Sequence, residues 1–318
     1  MIFDLQLHHI KFILEAQTLV HMGPQAGGQI RGALWQALND TACIAPNERH
    51  RADHARHCPM CFMLELQANS PRGNNPPRPF AIRPPLGVRA EDDRMFKTGE
   101  HFEIGMTLMG KAVELFPYLV HGMRAVGQTG VGYGRGRFTI EAIEAHHPLR
   151  DEVQHLLNGQ TVYLPTLMLS ADDIQSYTQL LPSDTMRLRF VTPTTLKHQG
   201  KILAYPEFMP LIARILERCQ AMAFHYGETS ADPDIWQPQY IHLTTLAQQI
   251  KRTHDNTRQV DVKSGSRRSN RYHQIGGFVG EVQFTGDITP FMTWLLWGQS
   301  LQVGKNIVKG NGWYEIIG

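Results

Sequence analysis

Gly130-Val131-Gly132-Tyr133-Gly134-Arg135-Gly136-Arg137 and Gly304-Lys305-Asn306-Ile307-Val308-Lys309-Gly310-Asn311-Gly312 are the two stretches on which the reading of this chain turns. Both are rich in glycine, and both carry Arg or Lys between the glycines. Upstream of the first, Lys111 to Val126 has helical periodicity through Val113, Phe116, Val120 and Met123. Pro117 either kinks that helix or opens a second piece of it. Phe102, Ile104, Met106 and Leu108 alternate as in a half-buried strand, and Phe138, Ile140 and Ile143 begin another after the loop.

Further out, Phe3, Leu5 and Leu7 alternate, then Ile10, Phe12 and Leu14 do so in a shifted phase, which suits a bulged strand or two short ones. A Gly/Pro segment, Gly23 to Gly28, leads into a helix faced by Ile30, Ala33, Leu34, Ala37 and Leu38. Asn69 to Pro85 is rich in Pro, Arg and Asn and reads as an extended loop. The second half repeats the order. Met186, Leu188 and Phe190 mark a strand, and Glu207 to Tyr226 a strong amphipathic helix. Phe278, Val282 and Phe284 mark another strand, Ile288 to Leu301 a helix, and Trp313 to Ile317 a final strand after the second loop. Each half is thus strand, helix, strands, helix, glycine-rich loop, strand. This is the β-α-β-β-α-β ferredoxin-like (RNA-recognition-motif-like) plan, an antiparallel sheet with helices on one face. The expected class is α+β, with tandem domains over residues 1–148 and 149–318 and a Cys/His/Pro-rich insertion in the first.

Composition fits that plan. The chain has 318 residues, more than one core needs and comfortable for two. With 42% hydrophobic and 19% charged residues it can bury a core rather than remain disordered. The formal net charge is only +2, so a polyanionic partner must be met by local basic clusters. No apolar run approaches the roughly eighteen residues of a membrane span. Met1 to Lys11 has His and Asp where a signal's apolar core would sit, and four Cys do not make a disulfide scaffold. A reduced, soluble, cytoplasmic protein with no membrane partner is expected.

Glycine lets a backbone come close to a phosphate and turn its N–H groups toward it; the interspersed cations add charge, and Tyr133 or Trp313 can stack on a base. Neither loop is a Walker loop, which needs Gly-Lys-Ser/Thr opening a helix after a strand, and neither is a Rossmann fingerprint. A tight turn with positive φ explains one such loop equally well. Lys263-Ser264-Gly265-Ser266-Arg267-Arg268-Ser269-Asn270-Arg271-Tyr272-His273 has several cations and no acid. Arg pairs bidentately with phosphate, Ser and Asn bond to sugar, and Tyr stacks, so it suits an RNA backbone; a solvated loop is the alternative.

Gly276-Gly277-Phe278-Val279-Gly280-Glu281-Val282, Leu295-Leu296-Trp297-Gly298-Gln299, and Val303-Gly304-Lys305 through Gly310-Asn311-Gly312-Trp313-Tyr314 together resemble the C-terminal signature of the CRISPR repeat-processing endoribonucleases of the RAMP superfamily. Arg268-Ser269-Asn270-Arg271 is similar to the family's Ser/Arg element, and Arg31-Gly32-Ala33-Leu34 to its Arg-Gly-Ala helix start. Cys58-Pro59-Met60-Cys61 and the Gly130 to Arg137 loop also fit. The resemblance implies two ferredoxin-like domains that bind a CRISPR repeat and cut precursor CRISPR RNA into guide RNAs. It implies metal-independent chemistry in which the 2′-hydroxyl attacks the adjacent phosphate, leaving a 2′,3′-cyclic phosphate and a 5′-hydroxyl. Arg135, Arg137, Arg267, Arg268, Ser269, Arg271, Lys305 and Lys309 are the candidates to hold the RNA.

Such a reaction needs a general base, donors that stabilise the phosphorane, and an acid for the leaving oxygen. Family members commonly take a His from near the first helix. The candidates are His21 before that helix and His50, His54 and His57 after it, with no order among them. Family members often have His at the position of Gln302. Gln cannot act as a general base, so that role moves elsewhere or is absent. In the latter case the same loops belong to a non-catalytic RAMP subunit that grips guide RNA in a CRISPR effector complex.

Cys58-x-x-Cys61 suits a zinc knuckle, with Cys43 and one of His50, His54 or His57 completing a Cys₃His set. Such a zinc would fasten the insertion and take no part in cleavage; cysteines packed without metal are the alternative. Cys219 falls on the apolar face of a helix and reads as core.

Overall fold

The computed structural model describes residues 3, 5–43, 45–48, 51–65, 76–227, 232–266 and 271–317. Its first unit, Leu7–Pro85 with Asp93–Met168, runs β1 (Leu7–Ala16), β2 (Val20–Met22), α1 (Ala26–Thr41), α2 (Ala52–His57), α3 (Pro59–Leu64), β3 (Phe80–Arg83), β4 (Arg94–Phe96), β5 (His101–Met109), α4 (Phe116–Thr129), β6 (Phe138–His146) and β7 (Val153–His155), then a small hairpin of β8 (Leu157–Asn158) and β9 (Thr161–Val162). The sheet order is β3-β5-β1-β6-β7 with every pairing antiparallel. Its first four strands, with α1 and α4, have the ferredoxin-like order. The two helices meet closely because Gly122 presents no side chain to Leu34 and Leu38.

β1 is one strand, bulged between Ile13 and Leu14 where it pairs with β6. The phase shift nearer its start has another cause: Leu7, His8, His9 and Ile10 are all buried, so both faces are covered there and alternation is lost. The expected loop from Asn69 to Pro85 is corrected in part, since Phe80–Arg83 is a buried edge strand bounded by Pro79 and Pro84. An edge position tolerates flanking prolines, which is why the strand was disguised. Pro117 sits in the first turn of α4 and opens that helix, after a 3₁₀ segment over Gly110–Leu115.

The second unit comprises Met1–Gln6, Leu86–Asp92 and Leu169–Gly318. It contains α5 (Ala171–Thr178), β10 (Thr185–Thr194), the ribbon β11 (Lys197–His198) and β12 (Lys201–Ile202), α6 (Phe208–Tyr226), α7 (Pro233–Ala247), β13 (Lys251–Val260), the hairpin β14 (Lys263–Ser266) and β15 (Arg271–Gln274), β16 (Gly277–Thr285), α8 (Met292–Leu301) and β17 (Tyr314–Ile317). Its sheet, β13-β16-β10-β17, repeats the ferredoxin-like order. α6 buries Leu211, Ile212, Ile215, Cys219 and Met222, the face its periodicity predicts.

The units divide differently from the expected 148/149 boundary. β7 adds to β6 through Glu144↔His155 and so carries the first unit past residue 148. Two remote pieces of chain fold into the second unit. Phe3 meets Trp297 edge-on with ring centroids 4.5 Å apart, and Glu91 pairs with Arg258 at 2.7 Å. No helix of the described residues is long and apolar enough to cross a membrane.

His9 lies mid-sheet, opposite Thr107 on β5 and His146 on β6, and its Nδ1 is 3.2 Å from the Thr107 hydroxyl. Burial holds its pKa well below the ordinary histidine range, helped by Arg83, His147, His8 and His146. Burial also lowers His8. The unfolded chain therefore binds protons that the folded one refuses, so stability is full above about pH 6.5 and falls as pH drops below it. We expect urea unfolding of the first unit to lose up to about 1.4 kcal/mol per pH unit through His9 below that point. A His9→Gln variant should flatten the slope.

A candidate acid–base site and two basic glycine loops

β2 and β4 form a short antiparallel ribbon in which His21 stands opposite Met95, two residues beyond Asp93, which precedes β4. That register brings His21 Nε2 to 2.6 Å from Asp93 Oδ2, with the imidazole about one-third exposed. An Nε2–H held by the carboxylate leaves Nδ1 as the basic nitrogen of the neutral ring. The Tyr133 ring meets His21 edge-on, centroids 5.0 Å apart, and the Tyr133 hydroxyl accepts a 3.0 Å hydrogen bond from Gln25 Nε2. A histidine oriented by a carboxylate and braced by an aromatic ring is an arrangement fit to move a proton.

Tyr133 belongs to the first glycine loop, which docks on β2. The Tyr133 N–H donates to the His21 carbonyl at 2.7 Å, Val131 and Gly136 exchange backbone hydrogen bonds, and the Arg137 N–H donates to Thr18 Oγ1. A Cβ on Gly132 would lie 2.1 Å from the His21 carbonyl oxygen, and one on Gly136 would lie 2.4 Å from that of Leu19. The glycines here allow close docking and positive φ, and these N–H groups are spent inside the protein. The expectation that the loop turns its N–H groups toward a phosphate is corrected to that extent. Arg135 and Arg137 are exposed on the loop that carries Tyr133.

Sequence reasoning singled out His21 but missed Asp93, Gln25 and the bearing of Tyr133 on the imidazole. Of the other histidine candidates, His57 Nδ1 bonds the Asp53 carbonyl of its own helix, and His54 joins a cysteine cluster. His50 lies outside the described residues, as do Arg267, Arg268 and Ser269. In sequence they lie between β14 and β15, which pair from Lys263↔Gln274 to Ser266↔Arg271.

In the second unit the loop after α8 folds against the end of β10. Lys305 N–H donates to the Thr195 carbonyl, Gly312 N–H to that of Pro193, and a Cβ on Gly312 would lie 1.9 Å from the Val303 oxygen. Lys305 is exposed, and its pKa is lowered by partial burial and by the ammonium of Lys197 beside it. Two ammonium groups held together make a receptor for a phosphate, and Lys197 was not foreseen because it comes from the β11–β12 ribbon. Lys309 is half-buried at the close of a 3₁₀ turn. Gln302 is fully buried, with φ of 58° at the C-terminal end of α8. Its side chain packs inside the unit, so its identity bears little on chemistry at the surface.

Cys43, just beyond α1, and Cys58 and Cys61, at the start of α3, gather around His54 of α2 with all four ligand atoms within 4.8 Å of one another. His54 Nε2 is 3.5 Å from Cys43 Sγ and 3.4 Å from Cys61 Sγ.

Each of the two ferredoxin-like units closes on a basic glycine loop. Residues 5–169, just over half the chain, match a family described as an N-terminal domain, and residues 188–314 match the CRISPR-associated endoribonuclease Cas6. The chain's C-terminal region, residues 188–314, is thus matched to the CRISPR repeat-processing endoribonuclease family. Among solved structures, a Cas6 (TTHB231) product complex aligns with TM-score 0.58 and 14% identity over 98% of this chain and 99% of that one. Thermus thermophilus Cas6 (TTHB231) aligns with TM-score 0.55 and 13% identity over 98% and 99%. A chain of a partial Cas6-RT-Cas1–Cas2 complex reaches TM-score 0.61 at 12% identity, over 100% of this chain and 47% of that one. At such identities these likenesses establish the fold. No curated protein matches the chain.

Proposed function

We propose that this protein cuts precursor CRISPR RNA within its repeats, using His21 as the acid–base group and no metal ion. The observation that carries the reading is the His21–Asp93 pair, 2.6 Å apart and beside the loop bearing Tyr133, Arg135 and Arg137. In the reaction, His21 Nδ1 takes the proton of the 2′-hydroxyl, the 2′-oxygen bonds to the adjacent phosphorus, and the bond from phosphorus to the 5′-oxygen breaks. The departing oxygen takes up a proton, giving a 2′,3′-cyclic phosphate and a 5′-hydroxyl. Asp93 holds the imidazole and stabilises its charged form, Arg135 and Arg137 oppose charge on the phosphorane, and Tyr133 stacks on a base beside the cut. The Lys197–Lys305 pair and the β14–β15 hairpin grip flanking phosphates. The natural partner is CRISPR repeat RNA in the cytoplasm, and a relative found in a complex with Cas1 and Cas2 supports association with other CRISPR proteins.

Incubating the purified protein with its own repeat RNA in excess EDTA tests this. One defined cut is expected. No cut with or without magnesium would instead mark an RNA-gripping subunit of an effector complex, and a cut that needs magnesium would refute the proposed chemistry.

A further inference from the structure

We propose that Cys43, His54, Cys58 and Cys61 form a structural zinc site that fastens the segment after α1 to that helix. The inference stands apart from the RNA reading. Three sulfurs and one imidazole nitrogen converge from three separate elements, α1's exit, α2 and the start of α3, with every pair of ligand atoms within 4.8 Å. Tetrahedral zinc, with Zn–S of about 2.3 Å and Zn–N of about 2.0 Å, places its sulfur and nitrogen ligands about 3.5 Å apart. The measured separations of His54 Nε2 from Cys43 Sγ and Cys61 Sγ are 3.5 and 3.4 Å. Cys43, Cys58 and Cys61 are buried and form no disulfide.

The set is Cys₃His, a closed shell with no position for substrate, and closed shells of this kind serve structure. The segment has other ties to α1: Arg31 Nη2 donates to the Leu64 carbonyl at 3.3 Å, and Trp35 Nε1 donates to Glu65 Oε1 at 2.9 Å. Those bonds anchor its far end, at α3's exit. A metal anchors its near end, where two short helices of six residues each could not hold themselves. Soft thiolates with one imidazole select zinc over magnesium or calcium, which need oxygen ligands.

The test is the metal content of the full chain purified without chelators, by elemental analysis. One zinc per chain is expected. It should be retained in His57→Ala, whose imidazole lies outside the set, and lost in Cys61→Ser and His54→Ala. Stripping the metal should lower the thermal midpoint of the wild type, and re-adding zinc should restore it. Because Cys61→Ser can fail to fold, cobalt is loaded into the stripped wild type as a second readout. An intense thiolate-to-cobalt charge-transfer band with tetrahedral d–d absorption is expected. Less than a tenth of an equivalent of zinc, with no cobalt spectrum, would overturn the proposal; so would zinc retained undiminished in a folded Cys61→Ser variant.

Discussion

His21→Ala is expected to slow cleavage of the repeat RNA by about 10²–10⁴-fold, the usual contribution of one general acid–base group. Binding should hardly change, because affinity for RNA comes chiefly from phosphate contacts by Arg and Lys. Asp93→Asn should give a smaller loss in the single-turnover rate. The amide can still hold the ring, but it no longer favours the tautomer with the proton on Nε2 or the charged imidazolium. Single-turnover rates with saturating protein separate this from binding defects. His54→Ala and His57→Ala provide the contrast, since the first belongs to the cysteine cluster and the second bonds its own helix backbone. If His21→Ala cut at the wild-type rate while His57→Ala lost activity, the assignment would be wrong.

Gly132→Ala should be among the most damaging single-methyl changes in the first unit. Gly132 has φ of 77°, and a Cβ there would lie 2.1 Å from the His21 carbonyl oxygen and 2.9 Å from its carbon. Both are backbone atoms and cannot swing aside. Strain at positive φ and the clash together should cost about 2–4 kcal/mol, read as a lower thermal or denaturant midpoint. Gly134 supplies the control. It has φ of 73° but nothing within 4 Å of its Cβ position, so Gly134→Ala should show the backbone term alone, about 1–2 kcal/mol. Equal losses at the two positions would mean that the close docking on β2 contributes nothing. Cleavage should suffer more in Gly132→Ala than in Gly134→Ala even among folded molecules, because the displaced carbonyl belongs to His21 itself.

Much of the fold could be read from the order of apolar periods, because the sheets of both halves are covered on one side and keep their alternation. Phe102 to Leu108 and Met186 to Phe190 show it plainly. The signal fails where both faces are covered, as in Leu7 to Ile10, and where prolines flank an edge strand, as around Phe80 to Ile82. α7 escaped notice because Pro238 lies inside it and Ile235 and Ile241 are exposed, so it lacks a clean apolar stripe. At the site, His21 and the arginines were legible by residue type and neighbourhood. Asp93 was not, since seventy-two positions separate it from His21 and only the β2–β4 register joins them. Lys197 was hidden for the same reason. Gln302, read from the sequence as a position that leaves the general base to be found elsewhere, is a buried residue at the end of α8.

The most direct measurement places a single 2′-deoxynucleotide at the scissile position of the repeat and follows cleavage in EDTA. The account predicts that the deoxy RNA binds and stays intact. The all-ribose RNA should be cut once, and its 5′ fragment should have the mass of a 2′,3′-cyclic phosphate. Cleavage of the deoxy RNA at the wild-type rate, or a 5′ fragment ending in a free 3′-hydroxyl, would contradict it.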